Sequence, residues 1–179
     1  RMLLFAVLSE VPFDLMYGGT VFYPVHQNVI WTLLLGLLGI RLMEAARAKG
    51  KRWLYILTCA AVVVLGFALG TLGMVDYYGA GVLTVFAFYF FRERKWWCLL
   101  GQLAALYWLN VVVLGGQMYP VTLFGREIEL CEQGLALLAL VPIWLYRGRQ
   151  GHHSKAFQYA CYAFYPAHML VLALLTMIQ

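Results

Sequence analysis

The amino-acid sequence predicts an all-α, polytopic transmembrane helical bundle with about seven spans. Three observations carry that fold class. The 179-residue chain is 64% hydrophobic and only 12% charged, far from the balance of a soluble domain. Its apolar residues form runs close to the roughly 20 residues that an α-helix needs to cross hydrocarbon. Thirteen lysines and arginines, all but Arg126, gather at alternating ends of those runs, as basic cytoplasmic loops do.

The apolar segments are Met2–Leu15, His26–Ala46, Trp53–Met74, Val75–Phe91, Trp96–Leu114, Ile128–Tyr146 and Ala156–Ile178. The first and fourth are short for a span. Basic loops Arg47–Arg52, Arg92–Lys95 and Arg147–Lys155 alternate with stretches almost free of positive charge: Tyr17–Val25, Met74–Gly79 and Gly115–Glu127. With Arg1 inside, an odd number of crossings places Gln179 outside. Trp53, Trp96, Trp97 and Trp144 sit beside the basic ends, as an interfacial aromatic belt does. No linker divides the chain, so residues 1–179 read as one transmembrane domain. Gly66 and Gly70 form a single GxxxG, a weak sign of close helix packing.

A helix rises 1.5 Å per residue, so distance from the basic end measures depth. On that measure Glu10, Asp14, Asn28, Asp76, Asn110, Glu132 and His168 lie roughly 14–28 Å from the basic side. They belong to six different segments yet fall in one layer, the outer half of the membrane. An ionisable group at that depth is expensive and should face a bundle interior or a wet cavity. Glu10 and Asp14, spaced i, i+4, share a helix face with Pro12 between them. The plainer alternative is that both only cap or hydrogen-bond neighbouring helices. His26 reads as an interfacial loop residue, and His152-His153 as part of a solvated basic loop. Arg41 lies inside its helix and is expected to snorkel to the basic face.

Several function classes drop out. The net charge of +5 is explained by orientation and lipid headgroups, not by nucleic acid. Cys59, Cys98, Cys131 and Cys161 are scattered, without a CxxC pair, so neither a disulfide framework nor a metal site is indicated. No lysine lies mid-membrane where a retinal Schiff base would form. There is no nucleotide-binding loop and no HExxH.

Four stretches carry a family resemblance. They are Leu8-Ser9-Glu10-Val11-Pro12-Phe13-Asp14-Leu15; His26-Gln27-Asn28-Val29 with Thr32-Leu33-Leu34-Leu35-Gly36-Leu37; Asp76-Tyr77-Tyr78-Gly79-Ala80-Gly81-Val82-Leu83; and Phe164-Tyr165-Pro166-Ala167-His168-Met169-Leu170. In this order, across nearly the whole chain, they resemble the TraX family, named for the conjugal-transfer protein that acetylates pilin. The resemblance implies a multi-pass acyltransferase of the bacterial cytoplasmic (inner) membrane. It would move an acetyl group from acetyl-CoA to an amine, such as a peptide or pilin N-terminus, or to a hydroxyl at the outer face. Members usually carry two further helices before this region, nine in all, the first with an Asp-His pair suited to general base. The residues the resemblance carries over are Glu10, Asp14, Asn28, Asp76 and His168.

On this expectation His168 is the base or proton shuttle, Asp76 or Glu10 orients it, and Asn28 donates to the tetrahedral oxyanion. Arg47, Lys49, Lys51 and Arg52 would hold the acetyl-CoA phosphates. The expected partners are membrane lipid and a peptide, pilin or other small acceptor. Two alternatives stay open on the residues alone: a small-solute or proton-coupled carrier, whose carboxylates bind the coupling ion, and a non-catalytic assembly subunit.

Overall fold

A computed structural model describes residues 1–123, 125–146, 148, 151 and 154–178. The elements run α1 (Met2–Gly18), α2 (Val29–Ala48), α3 (Arg52–Leu72), α4 (Tyr78–Phe90) and α5 (Trp96–Tyr107), which continues as a π-helix over Trp108–Leu114. Strands β1 (Met118–Leu123) and β2 (Arg126–Cys131) follow, then a 3₁₀ helix (Glu132–Ala139), α6 (Leu140–Leu145) and α7 (Lys155–Ile178). The chain is predominantly helical. Among the described residues, four helices are long and apolar enough to cross a membrane: Val29–Ala48, Arg52–Leu72, Trp96–Leu114 and Lys155–Thr176. Helix α1 has 17 residues, while Tyr78–Phe90 and Glu132–Leu145 are shorter apolar helices.

The stretch between the fifth and sixth segments differs from expectation. Met118–Leu123 and Arg126–Cys131 form an antiparallel hairpin, with Met118 opposite Cys131 and Leu123 opposite Arg126. Glu127-Ile128-Glu129-Leu130 alternates polar and apolar side chains with period two, a strand pattern. Ile128–Cys131 therefore belongs to β2, and the sixth apolar segment becomes helical only from Glu132. Arg147, Arg149, His152 and His153 of the third basic loop, and Gln179, lie outside the described residues.

The chain forms two compact units, residues Arg1–Val82 with Gln150–Gln179 and Leu83–Arg149. In the first unit α1 packs on α7 and α2, and α2 packs on α3. Leu3, Leu4, Val7, Leu8 and Val11 of α1 are exposed, as are Leu57, Val64 and Leu65 of α3. Apolar residues on an outer surface suit hydrocarbon as the solvent. Helix α1 stops where Gly19 takes a left-handed conformation at φ 65°, the usual glycine termination. Helix α2 starts at Asn28, whose side chain accepts from the Ile30 amide at 3.0 Å, satisfying an orphan N–H of the first turn.

The turn joining α3 to α4 is the strained part of this unit. Met74, Tyr77 and Tyr78 have φ of 49°, 59° and 51°, each costing of order 1 kcal/mol or more for a side chain with a Cβ. Such geometry survives only when neighbours over-determine it. Here Gln27 N–H donates to the Met74 carbonyl at 2.9 Å, and the Thr32 hydroxyl donates to the Asp76 carbonyl at 2.7 Å. The turn is thus clamped onto the start of α2.

In the second unit, the π-helical stretch contains Asn110, whose amide donates to the Leu106 carbonyl at 2.9 Å. Glu132 is exposed, and its N–H donates to the Gln117 carbonyl at 3.0 Å. Cys98, Leu106, Leu109 and Leu140 are buried.

Gly70 of the GxxxG pair is a packing point. A Cβ there would meet Gly79 Cα and Val82 Cγ2, each at 2.9 Å. Gly70→Val should therefore destabilise the protein by about 1–3 kcal/mol. Thermal unfolding in detergent checks this; an unchanged midpoint would show that the α3–α4 contact is loose.

Candidate functional site

Within the first unit, polar side chains of α1, α2 and the α3–α4 turn form a seam of two hydrogen-bonded groups, Glu10 with Asn28 and Trp31, and His26 with Asp76; Tyr165 and His168 of α7 are its further polar members. Its centre is Glu10. Oε2 of Glu10 accepts from Trp31 Nε1 at 2.8 Å and from Asn28 Nδ2 in a short hydrogen bond. Asn28 is fully buried and its Nδ2 also donates to the Ala6 carbonyl at 2.8 Å. Its Oδ1 caps α2. One side chain thus joins α1 to α2, with both amide protons already committed. An oxyanion would have to displace one of them.

Asp14 is buried, and its Oδ2 accepts from the Tyr23 backbone N–H at 3.0 Å. The loop between α1 and α2 is thereby folded back on α1. The other oxygens of this helix face are left over. Ser9 Oγ, Glu10 Oε1 and Asp14 Oδ1 are buried without a hydrogen-bond partner among the described residues, and so is the Tyr165 hydroxyl of α7. Unsatisfied buried oxygens are uncommon and costly, of order 1–3 kcal/mol each. Tyr165 lines a cavity together with Val29 of α2.

His26 was expected to be an interfacial loop residue. The structure buries it, at 8% exposure, and sets its Nε2 3.3 Å from Asp76 Oδ1. Its ring stacks on Tyr17 at a centroid distance of 4.6 Å and on Phe13 at 5.7 Å, with Tyr78 edge-on at 5.8 Å. With Nε2–H directed at the carboxylate, Nδ1 is the nitrogen left to take up a proton, an arrangement that orients an imidazole base. Burial pushes the Asp76 carboxyl above its ordinary value, against the opposing pull of the His26 hydrogen bond.

His168 occupies a different position. Its Nδ1 lies 3.0 Å from the carbonyl of Phe164, one turn earlier on α7. A carbonyl only accepts, so Nδ1 carries the proton and Nε2 is the basic nitrogen. The ring stacks on Phe164 at 5.0 Å and meets Tyr165 edge-on at 5.3 Å. His168 is therefore next to Tyr165 and makes no hydrogen bond to Glu10 or Asp76. Arg47, Lys49, Lys51 and Arg52 are exposed, with Arg47 3.7 Å from Glu44.

Beside the seam, Phe5, Val29, Leu33, Cys161, Tyr162 and Tyr165 help to line an apolar cavity of about 330 Å³. Tyr165 is the residue common to cavity and seam. His26, Trp31 and Tyr165 are the members that sequence reasoning passed over. Each stands within a quoted motif or directly beside one: His26 two residues before Asn28, Trp31 just before Thr32, and Tyr165 before Pro166.

Two outcomes check this geometry. Asn28→Ala removes a helix cap and strips donors from the Ala6 carbonyl and Glu10. It should cost at least about 2 kcal/mol in unfolding, whereas a loss below about 0.5 kcal/mol would place the residue outside the framework. The second concerns pH. Asp76 has a folded pKa raised above 3.8, so its contribution to stability is complete below 3.8 and is lost as pH rises through the folded value. Asp76→Asn should flatten that part of the melting-temperature profile. A profile identical to that of the parent protein would mean that Asp76 titrates normally.

A family profile described as TraX protein matches residues 1–176. No curated protein matches the chain, and no solved structure does.

Proposed function

The chain belongs to the TraX family, and from that premise we propose that it is a membrane-embedded acetyltransferase. The family is associated with pilin acetylation. The donor in this reading is acetyl-CoA, and the acceptor is an amine, such as a peptide or pilin N-terminus, or a hydroxyl at the outer face. The protein works in the bacterial cytoplasmic membrane with its basic loops on the cytoplasmic side.

The observation that supports this most is the buried polar seam. Glu10 and Asp14 of α1, Tyr165 of α7 and the His26–Asp76 pair of two loops stand in an otherwise apolar helical unit, with several oxygens unspent. Intramembrane ionisable groups held in this way mark functional sites. A merely structural polar contact would be expected to satisfy its own atoms.

An acceptor ammonium must lose a proton to become nucleophilic, and a second proton is lost once its nitrogen has bonded to the thioester carbonyl carbon. His26 accepts a proton at Nδ1 while Asp76 holds Nε2–H and stabilises the imidazolium. The carbon–sulfur bond then breaks and CoA leaves as thiolate, which takes up a proton to become the thiol. A donor is needed for the oxygen that gains charge in the tetrahedral intermediate. Asn28 has both amide protons engaged, so the Tyr165 hydroxyl, buried and without a hydrogen-bond partner among the described residues, takes that role. His168 Nε2 is a relay one residue cluster away. Glu10, fixed by Asn28 and Trp31, binds the acceptor ammonium before it is deprotonated. Asp14 keeps the α1–α2 loop closed over it. Arg47, Lys49, Lys51 and Arg52 provide a basic rim for the donor's phosphates.

The test is acetyl transfer from labelled acetyl-CoA to a peptide with a free N-terminus, using the full-length protein in lipid nanodiscs. His26→Gln should lower kcat about 10²- to 10⁴-fold, and Tyr165→Phe about 10²- to 10³-fold. Equal turnover in both variants and the parent protein would overturn the assignment. No transfer by the parent protein to any amine or hydroxyl acceptor would overturn the enzymatic reading.

A further inference from the structure

The hairpin of the second unit has two edges, and they are not alike. Glu132 N–H donates to the Gln117 carbonyl at 3.0 Å, so these two residues form a hydrogen-bonded pair directly before Met118–Cys131 in the ladder. Hydrogen-bonded and non-hydrogen-bonded pairs alternate along antiparallel strands. The hydrogen-bonded pairs are therefore Tyr119–Leu130, Val121–Ile128 and Leu123–Arg126. Met118, Pro120 and Thr122 of β1, and Glu127 and Glu129 of β2, turn their backbone groups away from the partner strand. At the centre of the β1 edge stands Pro120, which has no N–H to offer, and a proline so placed guards an edge. On β2 the outward positions are Glu127 and Glu129, both exposed. Their outward N–H and carbonyl groups meet no backbone partner among the described residues. One edge is blocked and the other is open.

Side chains alternate across the strands with the same period. Glu127 and Glu129 stand on one face, across from Thr122 and Pro120, and neither makes an ion pair among the described residues. Ile128 and Leu130 stand on the other face, across from Val121 and Tyr119, and all four are exposed. A two-stranded ribbon is marginally stable by itself, and a third strand continuing its apolar face adds stability. A second copy of the chain is a poor source of that strand. Antiparallel pairing of two β2 edges puts Glu127 or Glu129 opposite itself, or each opposite the other, and like charges directly opposite are destabilising.

We propose that the β2 edge binds an extended peptide segment in which basic residues alternate with apolar ones, adding it to the hairpin as a third strand. The main chain of the segment pairs with the outward N–H and carbonyl groups of Glu127 and Glu129, as in strand addition to an open sheet edge. Its basic side chains lie beside the two carboxylates, and its apolar side chains continue the surface of Ile128 and Leu130. Arg126 stands on the face of Ile128 and Leu130, so a segment in the opposite phase would bring its cations to a guanidinium instead of a carboxylate. The surface stands whether or not the chain transfers acetyl groups.

The probe is a fluorescein-labelled, end-blocked heptapeptide of alternating lysine and valine. Its binding to the full-length protein in phosphatidylcholine nanodiscs is read by fluorescence polarisation, with empty nanodiscs as the blank. No acetyl-CoA is present, so the outcome is separate from that of the transfer assay. E127K/E129K should weaken binding about tenfold or more. E127Q/E129Q, which adds no charge, repeats the measurement with a smaller loss should the reversal misfold. Methylating the backbone nitrogens of the lysines alone, or of the valines alone, separates main-chain pairing from charge attraction. One set faces β2, and its methylation should abolish binding; the other faces away, and its methylation should leave affinity within about twofold. Hydrogen exchange locates the added strand: peptide should slow the Glu127 and Glu129 amides by about tenfold or more. Equal binding of the two methylated peptides would overturn the proposal, as would affinity unchanged in the charge variants. Amides already protected without peptide would also overturn it, since a second copy or lipid would then cover the edge.

Discussion

Asn28 carries three structural obligations with one side chain. It caps α2 through Oδ1, donates to the Ala6 carbonyl of α1 and donates to the Glu10 carboxylate. The constraint behind this is general: in hydrocarbon, a carboxylate without donors is several kcal/mol too costly to keep. Trp31, one turn into α2, supplies Glu10 with a second donor. With α2 started in that position, Thr32 reaches the Asp76 carbonyl and Gln27 reaches Met74. The strained α3–α4 turn is then held where Asp76 meets His26. Helix cap, interhelical tie, turn strain and the His–Asp pair follow from one another in that order.

The seam gives the strained turn a physical purpose. Three residues with Cβ atoms adopt left-handed geometry between Met74 and Tyr78, a local backbone cost. What it achieves is to bring a carboxylate from the α3–α4 connection against the α1–α2 connection. Strain retained beside ionisable groups is characteristic of working sites. Tyr165 on α7 lines the apolar cavity beside Val29 of α2 and keeps a buried hydroxyl without a hydrogen-bond partner among the described residues.

Much of this was legible in the amino-acid order. Hydropathy and the spacing of lysines and arginines located α2, α3, α5 with its π-helical continuation, and α7. Depth counting placed Glu10, Asn28, Asp76 and Tyr165's neighbour His168 in one layer, and the structure joins the first two directly. Other features needed coordinates. His26 lies next to a proline- and glycine-bearing loop, which has no helical period from which to judge burial; only the return of that loop to Asp14 reveals it. The hairpin was hidden because Ile128–Cys131 is apolar enough to merge with the following helix, and its alternation is only a few residues long. His168 could not be tied to a partner by depth alone, since depth along a helix leaves rotation about its axis open.

The account rests on a hydrated, chemically available seam between α1, α2, the α3–α4 turn and α7. An experimental map of the full-length protein in nanodiscs, at a resolution that shows ordered water, tests this most directly. The account predicts water or a bound amine bridging Glu10 Oε1 toward Tyr165 Oη, with His26 against Asp76. A dry seam, with Glu10 turned to the acyl chains and His26 away from Asp76, would contradict it.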